Sequence, residues 1–307
     1  MVDFPSCFGE NGVQIADASS SSGTNILTQT TTSNKTTQNL VTCVYHCKLH
    51  SSSCFIITIT WTKTLMGQSL FVQINDPTNN SFSKHEIKSN LFSKRKGSKT
   101  LQTGSVSTDI LWDLSSAKYG PSSPEPIERF YLAVTINQEL MLVLGDMDQE
   151  VYEKMNCSIT CSPNSVFVSK TEHVFGKKVY ATSAQFCGKG QVHEILIECD
   201  QVGSDDPFLS IRIDGKMVMK VKRLQWKFRG NYTVLVDGLP VEVYWDVYSW
   251  FFGKGMGNGV FLFQTCLSAE RLWGSGQPAV SWSGHVGKDV GQSGLGFSLV
   301  VFAWKNE

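Results

Sequence analysis

"TDILWDLSSAKYG", Thr108 to Gly120, decides the fold class, because the chain writes it again as "VEVYWDVYSWFFG", Val241 to Gly253. Each copy places apolar residues at every second position, then Trp-Asp, and closes on Gly. A period of two is the pattern of a half-buried strand. It puts Ile110, Trp112 and Leu114 on one face, and Val243, Trp245 and Val247 on the corresponding face of the second copy. Each Trp is therefore expected at the centre of a core. Asp113 and Asp246 fall on the opposite face beside a turn, where a carboxylate can accept backbone N–H groups.

Outward from these lines, Leu91–Gly120 matches Leu224–Gly253 at an offset of 133 residues, with eight identities in 30 positions, among them Gly97/Gly230, Trp112/Trp245 and Asp113/Asp246. Chance would give roughly two at ordinary residue frequencies. "LFVQIND" (Leu70–Asp76) then matches "LSIRIDG" (Leu209–Gly215), and "YLAVT" (Tyr131–Thr135) matches "FLFQT" (Phe261–Thr265). A period of this size is that of a domain and too long for a solenoid unit. It reads as an internal duplication, with domains at 41–170 and 171–307.

Most of the body consists of short β-branched and aromatic runs separated by Gly, Asn and Asp at intervals of about 8–12 residues. Asp214-Gly215 and Asp237-Gly238 are dipeptides suited to type I′ hairpin turns. Helix is confined to Asp148–Met155 and Leu267–Trp273. The expected fold is all-β: two tandem, duplicated antiparallel sandwiches or barrel-like domains with very little helix. The N-terminal segment 1–40 is expected to be mostly disordered. In Ser19–Asn39, 17 of 21 residues are Ser, Thr, Asn or Gln, too polar a composition to offset the entropy of ordering.

Formal net charge is zero, which argues against long-range capture of a polyanion by the whole molecule. The start lacks a signal-peptide layout and no apolar run is long enough for a transmembrane helix. The expectation is cytoplasmic or nuclear residence, with peripheral plasma membrane as a further location, and nine reduced cysteines.

Enzyme signatures are weak. Asp109 and Asp113, or Glu242 and Asp246, stand four apart on a strand, about 13 Å, too far for a glycosidase pair. Cys43, His46 and Cys47 cannot converge on a metal from a regular strand, since His46 faces the other way. No nucleophile elbow, phosphate loop or zinc-protease signature appears. No cofactor, metal or catalytic residue is expected.

The informative feature is basic. Lys84 to Lys99 carries six cations and one acid, and Lys216 to Arg229 carries six cations and no acid, ending in "RLQWKFR". There Leu224, Trp226 and Phe228 are expected inward, and Arg223, Lys227 and Arg229 outward. Lys94 and Lys96 align with Lys227 and Arg229, and these four are the candidate anion-binding residues. The competing reading is an edge strand kept soluble by its cations. The candidate partner is anionic lipid or an acidic protein surface, with nucleic acid less favoured. In "SWFFG", Trp250 and Phe251 are candidates for an exposed aromatic contact.

"DFPSCFGENGVQIAD", "LFSKRKGSKTL", "ILWDLSSAKYG", "VKRLQWKFRGNYTVLVDGLPVEVYWDV" and "GLGFSLVVFAWKNE" resemble the plant-specific family called domain of unknown function 868. The resemblance implies a plant protein and brings no activity or catalytic residue with it. The functional expectation is a non-enzymatic binding or scaffold protein. The alternatives are a sugar- or small-molecule-active protein with a site between the repeats, and a nucleic-acid binder.

Overall fold

The structure is a computed structural model and describes residues 13–14, 37–49, 53–65, 67–89, 95–121, 123–155, 164–187, 190–200, 206–253, 257–265 and 296–305. Lys94, the helix expected at Leu267–Trp273 and most of the Ser/Thr-rich segment lie outside them. In chain order the elements are β1 (Val13–Gln14), β2 (Thr37–Lys48), β3 (Cys54–Thr64), β4 (Gly67–Asp76), β5 (Ser81–Ser89), β6 (Lys96–Thr103), β7 (Val106–Asp113), β8 (Lys118–Tyr119), β9 (Pro126–Glu128), β10 (Tyr131–Ile136), β11 (Glu139–Gly145) and α1 (Asp148–Lys154). There follow β12 (Ser165–Gly176), β13 (Val179–Ala184), β14 (His193–Asp200), β15 (Phe208–Ile213), β16 (Lys216–Val221), β17 (Arg229–Val236), β18 (Leu239–Asp246), α2 (Tyr248–Phe252), β19 (Asn258–Thr265) and β20 (Ser298–Lys305). The chain is all-β, as its pattern predicts. The chain divides into two compact units, one built on Gln38–His173, the other on Val174–Cys266 and the C-terminal strand.

In the unit Gln38–His173, β2, β3, β4 and β5 are consecutive neighbours, with β12 beside β2, and β6, β7, β10 and β11 form a second sheet. β3 shows why the chain folds this way. "CFIITITW" alternates apolar and polar, and Phe55, Ile57, Ile59 and Trp61 are all buried. They share one apolar cluster with Ile110 and Trp112 of β7 and with Leu132 and Val134 of β10. Two sheets that share one core make a sandwich. All six residues of β10 are buried, because Tyr131 and Ala133 on its outer face pack with Val151 of α1.

In the unit Val174–Cys266, β13 to β16 form one sheet, with β1 added to the β16 edge, and β17, β18, β19 and β20 are consecutive neighbours. Val13 stands opposite Val221. The two Asp-Gly hairpin turns form as expected: Asp214 and Gly215 have φ of 50° and 76°, Asp237 and Gly238 of 51° and 79°. Trp250 of α2 stacks on Tyr180 of β13 (centroids 5.4 Å apart) and lies 5.8 Å from Phe261 of β19.

Three expectations are corrected here. β2 begins at Thr37, so the last three residues of the Ser/Thr-rich segment are strand; Gln38 Nε2 donates to the Glu172 carboxylate at 3.0 Å. β5, β6, β12 and β16 carry too many lysines and polar residues to read as strands. β5 and β6 border their sheets, and β16 is covered on its outer side only by the two residues of β1; outward charge is tolerated at such positions. Finally, 222–226 is a turn, and the inward alternation expected for "RLQWKFR" breaks at Trp226. The Trp226 N–H bonds Arg223 O, and the Lys227 N–H bonds the Arg223 and Leu224 carbonyls. Leu224 stays buried while Trp226 is 77% exposed.

Candidate anion-binding surface

The twice-written Trp-Asp has the same surroundings in both places. On the β6–β7 pair, Lys96 stands opposite Asp113 and Gly97 opposite Trp112. On the β17–β18 pair, Arg229 stands opposite Asp246 and Gly230 opposite Trp245. The Asp caps its turn: Asp113 Oδ1 accepts the Ser115 N–H at 3.0 Å, and Asp246 Oδ1 accepts the Tyr248 N–H at 3.0 Å. Its other oxygen takes the cation opposite, Lys96 Nζ at 2.5 Å and Arg229 Nε at 2.8 Å. Burial pushes the Asp113 carboxyl up, but hydrogen bonds from Lys96 and Ser115 outweigh it and hold the group below the ordinary range. The hydrogen bond to Asp113, helped by its charge, keeps Lys96 above the ordinary lysine range.

Two of the four candidate cations, Lys96 and Arg229, are thus committed to their own turns. The Arg229 guanidinium also lies 5.3 Å from the centre of the Tyr248 ring and 5.7 Å from that of Phe228. Lys227 differs. It lines an open depression of about 660 Å³ together with Asp206, Arg223, Gln225 and Trp226. The β16–β17 connection builds this wall. Arg223 takes a left-handed φ of 55°, and its N–H is held by Asp206 Oδ1 at 3.0 Å. Trp245 Nε1 donates to the Lys227 carbonyl at 2.9 Å, which ties the loop to the core. Among the described residues no ion pair engages the side chain of Arg223 or of Lys227.

The aromatic candidates separate. Trp250 is buried, and its Nε1 donates to the Ala303 carbonyl at 3.2 Å. This corrects its reading as an exposed contact, because α2 turns that ring onto Tyr180. Phe251 is half-buried, and the exposed rings are Tyr248 and Phe252, at 43% and 51%. Both surround Phe228, with centroids 5.4 Å and 5.7 Å from it. The period of its segment predicts Trp226 in the core, and the turn at 222–226 puts it in solvent. The signal for its exposure was the dense charge on either side, which a strand interior does not hold.

Two polar clusters escaped the sequence reading. In the unit Gln38–His173, Lys170 Nζ reaches Glu172 at 2.6 Å and Glu125 at 3.2 Å, and the Cys43 thiol donates to Glu125 at 3.6 Å. Burial disfavours the Lys170 charge, but Glu172 and Glu125 outweigh it and raise its pKa. Burial also pushes up the Cys43 thiol, and the Cys47 thiol to about 12. Thiols held protonated in this way are poor nucleophiles and poor metal ligands. Among the described residues no three His, Cys, Asp or Glu side chains form a metal-holding group.

In the other unit, buried His193 sits between the two hairpin turns. Nδ1 faces Asp214 Oδ2 at 2.7 Å and Nε2 faces Asp237 Oδ2 at 3.0 Å. Both contacts are hydrogen bonds only if both ring nitrogens carry a proton, so the geometry calls for imidazolium. Burial works against that charge, but the Asp214 hydrogen bond and the Asp237 charge outweigh it and raise the pKa above its ordinary 6.5. A raised pKa contributes stability that is full below the ordinary value and fades as pH rises through the folded value. Denaturant titrations of the wild type are therefore expected to show stability falling as pH rises above the ordinary histidine value, and a His193→Gln variant a flatter profile. Equal slopes would remove His193 as the cause.

The geometry defines the class: an all-β protein of two sandwich-like units, one of which presents a cationic and aromatic surface. Residues 36–305 match the family described as plant protein of unknown function (DUF868), and the chain belongs to it. No curated protein and no solved structure matches the chain. Among the described residues no helix is long and apolar enough to cross a membrane.

Proposed function

We propose that the protein is a non-catalytic binding protein that docks on an anionic partner through the β16–β17 connection. The observation that carries this reading is the pair Arg223 and Lys227, cations without an ion-pair partner among the described residues, lining one open depression beside Trp226. Lys96 and Arg229, the other described candidates, serve their own turns. We place the protein in the cytoplasm or nucleus. We also read the two units, near 41–170 and 171–307, as copies of one ancestral sandwich. The shared Lys/Arg-Gly opposite Trp-Asp, in the same register on both hairpins, supports that reading.

The test is binding of fluorescently labelled heparin by the wild type and by an Arg223→Glu, Lys227→Glu variant at low and physiological salt. Each cation near an anionic surface contributes about 1 kcal/mol, and each 1.4 kcal/mol is tenfold. Reversing both charges is expected to weaken binding roughly tenfold or more, with affinity falling as salt rises. A variant that binds as tightly as the wild type removes this loop as the site.

A further inference from the structure

Resting on the cationic site just described, we propose that its anionic partner is a lipid bilayer surface, with Trp226 entering the headgroup region and Arg223 and Lys227 contacting anionic lipid. Three observations support this. First, large rings face solvent at this end of the unit. Trp226 is 77% exposed, and Tyr248 and Phe252 are 43% and 51% exposed around Phe228. Clustered exposed aromatics mark interaction surfaces, and Trp and Tyr favour the membrane–water interface, where a ring can be half apolar and half wet. A soluble polyanion would need the two cations and no exposed Trp between them.

Second, the charge complements an anionic leaflet where the ring is. Arg223 and Lys227 flank Trp226 by three residues and one, and all three line the same depression. The nearby carboxylates are engaged within the fold, Asp206 with the Arg223 N–H and Asp246 with Arg229.

Third, the unit is polarised along its strands. β16 runs from the Asp214-Gly215 turn to the Trp226 loop, and β17 runs back from that loop to the Asp237-Gly238 turn. Those turns meet at His193, so Asp214 and Asp237 lie at one end, and Arg223, Lys227 and Trp226 at the other, where Asp206 holds the Arg223 N–H and Asp246 holds Arg229. Strands of this length separate the ends by roughly 20 Å. The end that carries Trp226 therefore has two cations outside any ion pair among the described residues, which suits a negative surface.

The experiment is sedimentation of the full chain with vesicles of phosphatidylcholine alone, and of phosphatidylcholine with phosphatidylserine and a phosphoinositide. Wild type, Trp226→Ala and the Arg223→Glu, Lys227→Glu variant are compared, and labelled heparin is the soluble anion. Trp226 is on the surface, so Trp226→Ala is expected to melt like the wild type. The wild type is expected on anionic vesicles and not on neutral ones. Trp226→Ala should lose vesicle affinity roughly tenfold, the share of a ring partly removed from water, and keep heparin affinity within about twofold. Vesicle binding by Trp226→Ala equal to wild type overturns the insertion. Wild type that binds heparin but no vesicle also overturns it, while leaving an anionic partner standing. Wild type that binds neither overturns both proposals.

Discussion

Trp245→Ala is expected to lower the unfolding free energy by roughly 3–5 kcal/mol, the range for large aromatics removed from a core. Trp245 is 5% exposed. Its ring covers Gly230 so closely that a Cβ added there would fall 2.3 Å from Cζ2 and 2.7 Å from Cη2. Its Nε1 also holds the Lys227 carbonyl, so truncation leaves both a cavity and an unpaired acceptor. The converse change tests the same contact. Gly230→Ala should destabilise by about 1–3 kcal/mol through overpacking, and less in a Trp245→Ala background, where the ring is gone. Urea unfolding of the two single variants and the double variant gives the coupling. The equivalent Gly97→Ala should cost less, because the added Cβ meets Trp112 at 3.0 Å. Additive effects at positions 230 and 245 would mean that the ring does not rest on the glycine.

The second large effect is at Lys170. Its ammonium is shared by fully buried Glu172 and part-buried Glu125. Lys170→Met is expected to cost about 3–5 kcal/mol, because two carboxylates lose their common cation in a site from which water is largely excluded. Lys170→Met with Glu172→Leu should recover much of that loss, since replacing a buried pair by apolar residues is often neutral or better. Gln38, which bonds the Glu172 carboxylate, would then lose that partner and keep the recovery incomplete. Guanidinium denaturation of both variants decides it. A single variant as stable as wild type would show that the pair is solvated in solution.

Much of the fold was legible because it rests on contacts near in sequence or on strict alternation. "CFIITITW" has one apolar face whatever it packs on. The two Asp-Gly turns follow from which residues accept positive φ. The Trp-Asp echo placed both Trp rings in cores and both carboxylates at turns, as the burial of Trp112 and Trp245 and the caps on Ser115 and Tyr248 show. Strands at sheet borders were the hard cases. β6 buries little beyond the contact of Leu101 with the core, so its alternation is faint.

The site was less legible, and Trp226 and Trp250 show why. The alternation of "RLQWKFR" points Trp226 inward, and the consecutive rings of "SWFFG" point Trp250 outward, yet each ring goes the other way. A short turn held by carbonyls of Arg223 and Leu224 sends one ring into water, and one turn of helix sends the other onto Tyr180. Glu172 and His193 make the same point for charge. Glu172 belongs to an ordinary mixed segment, but Lys170 neutralises it, and the same ammonium also holds Glu125, which comes from a loop 47 residues from Glu172. His193, Asp214 and Asp237 are mutually distant in the chain and meet only when three strand ends converge. Local alternation and turn chemistry were sufficient for strands, hairpins and core faces, because those preferences act within a few residues. Which charges are buried, which rings stay in water and which cations remain available were settled by long-range packing, because each depends on a partner whose position the local sequence does not contain.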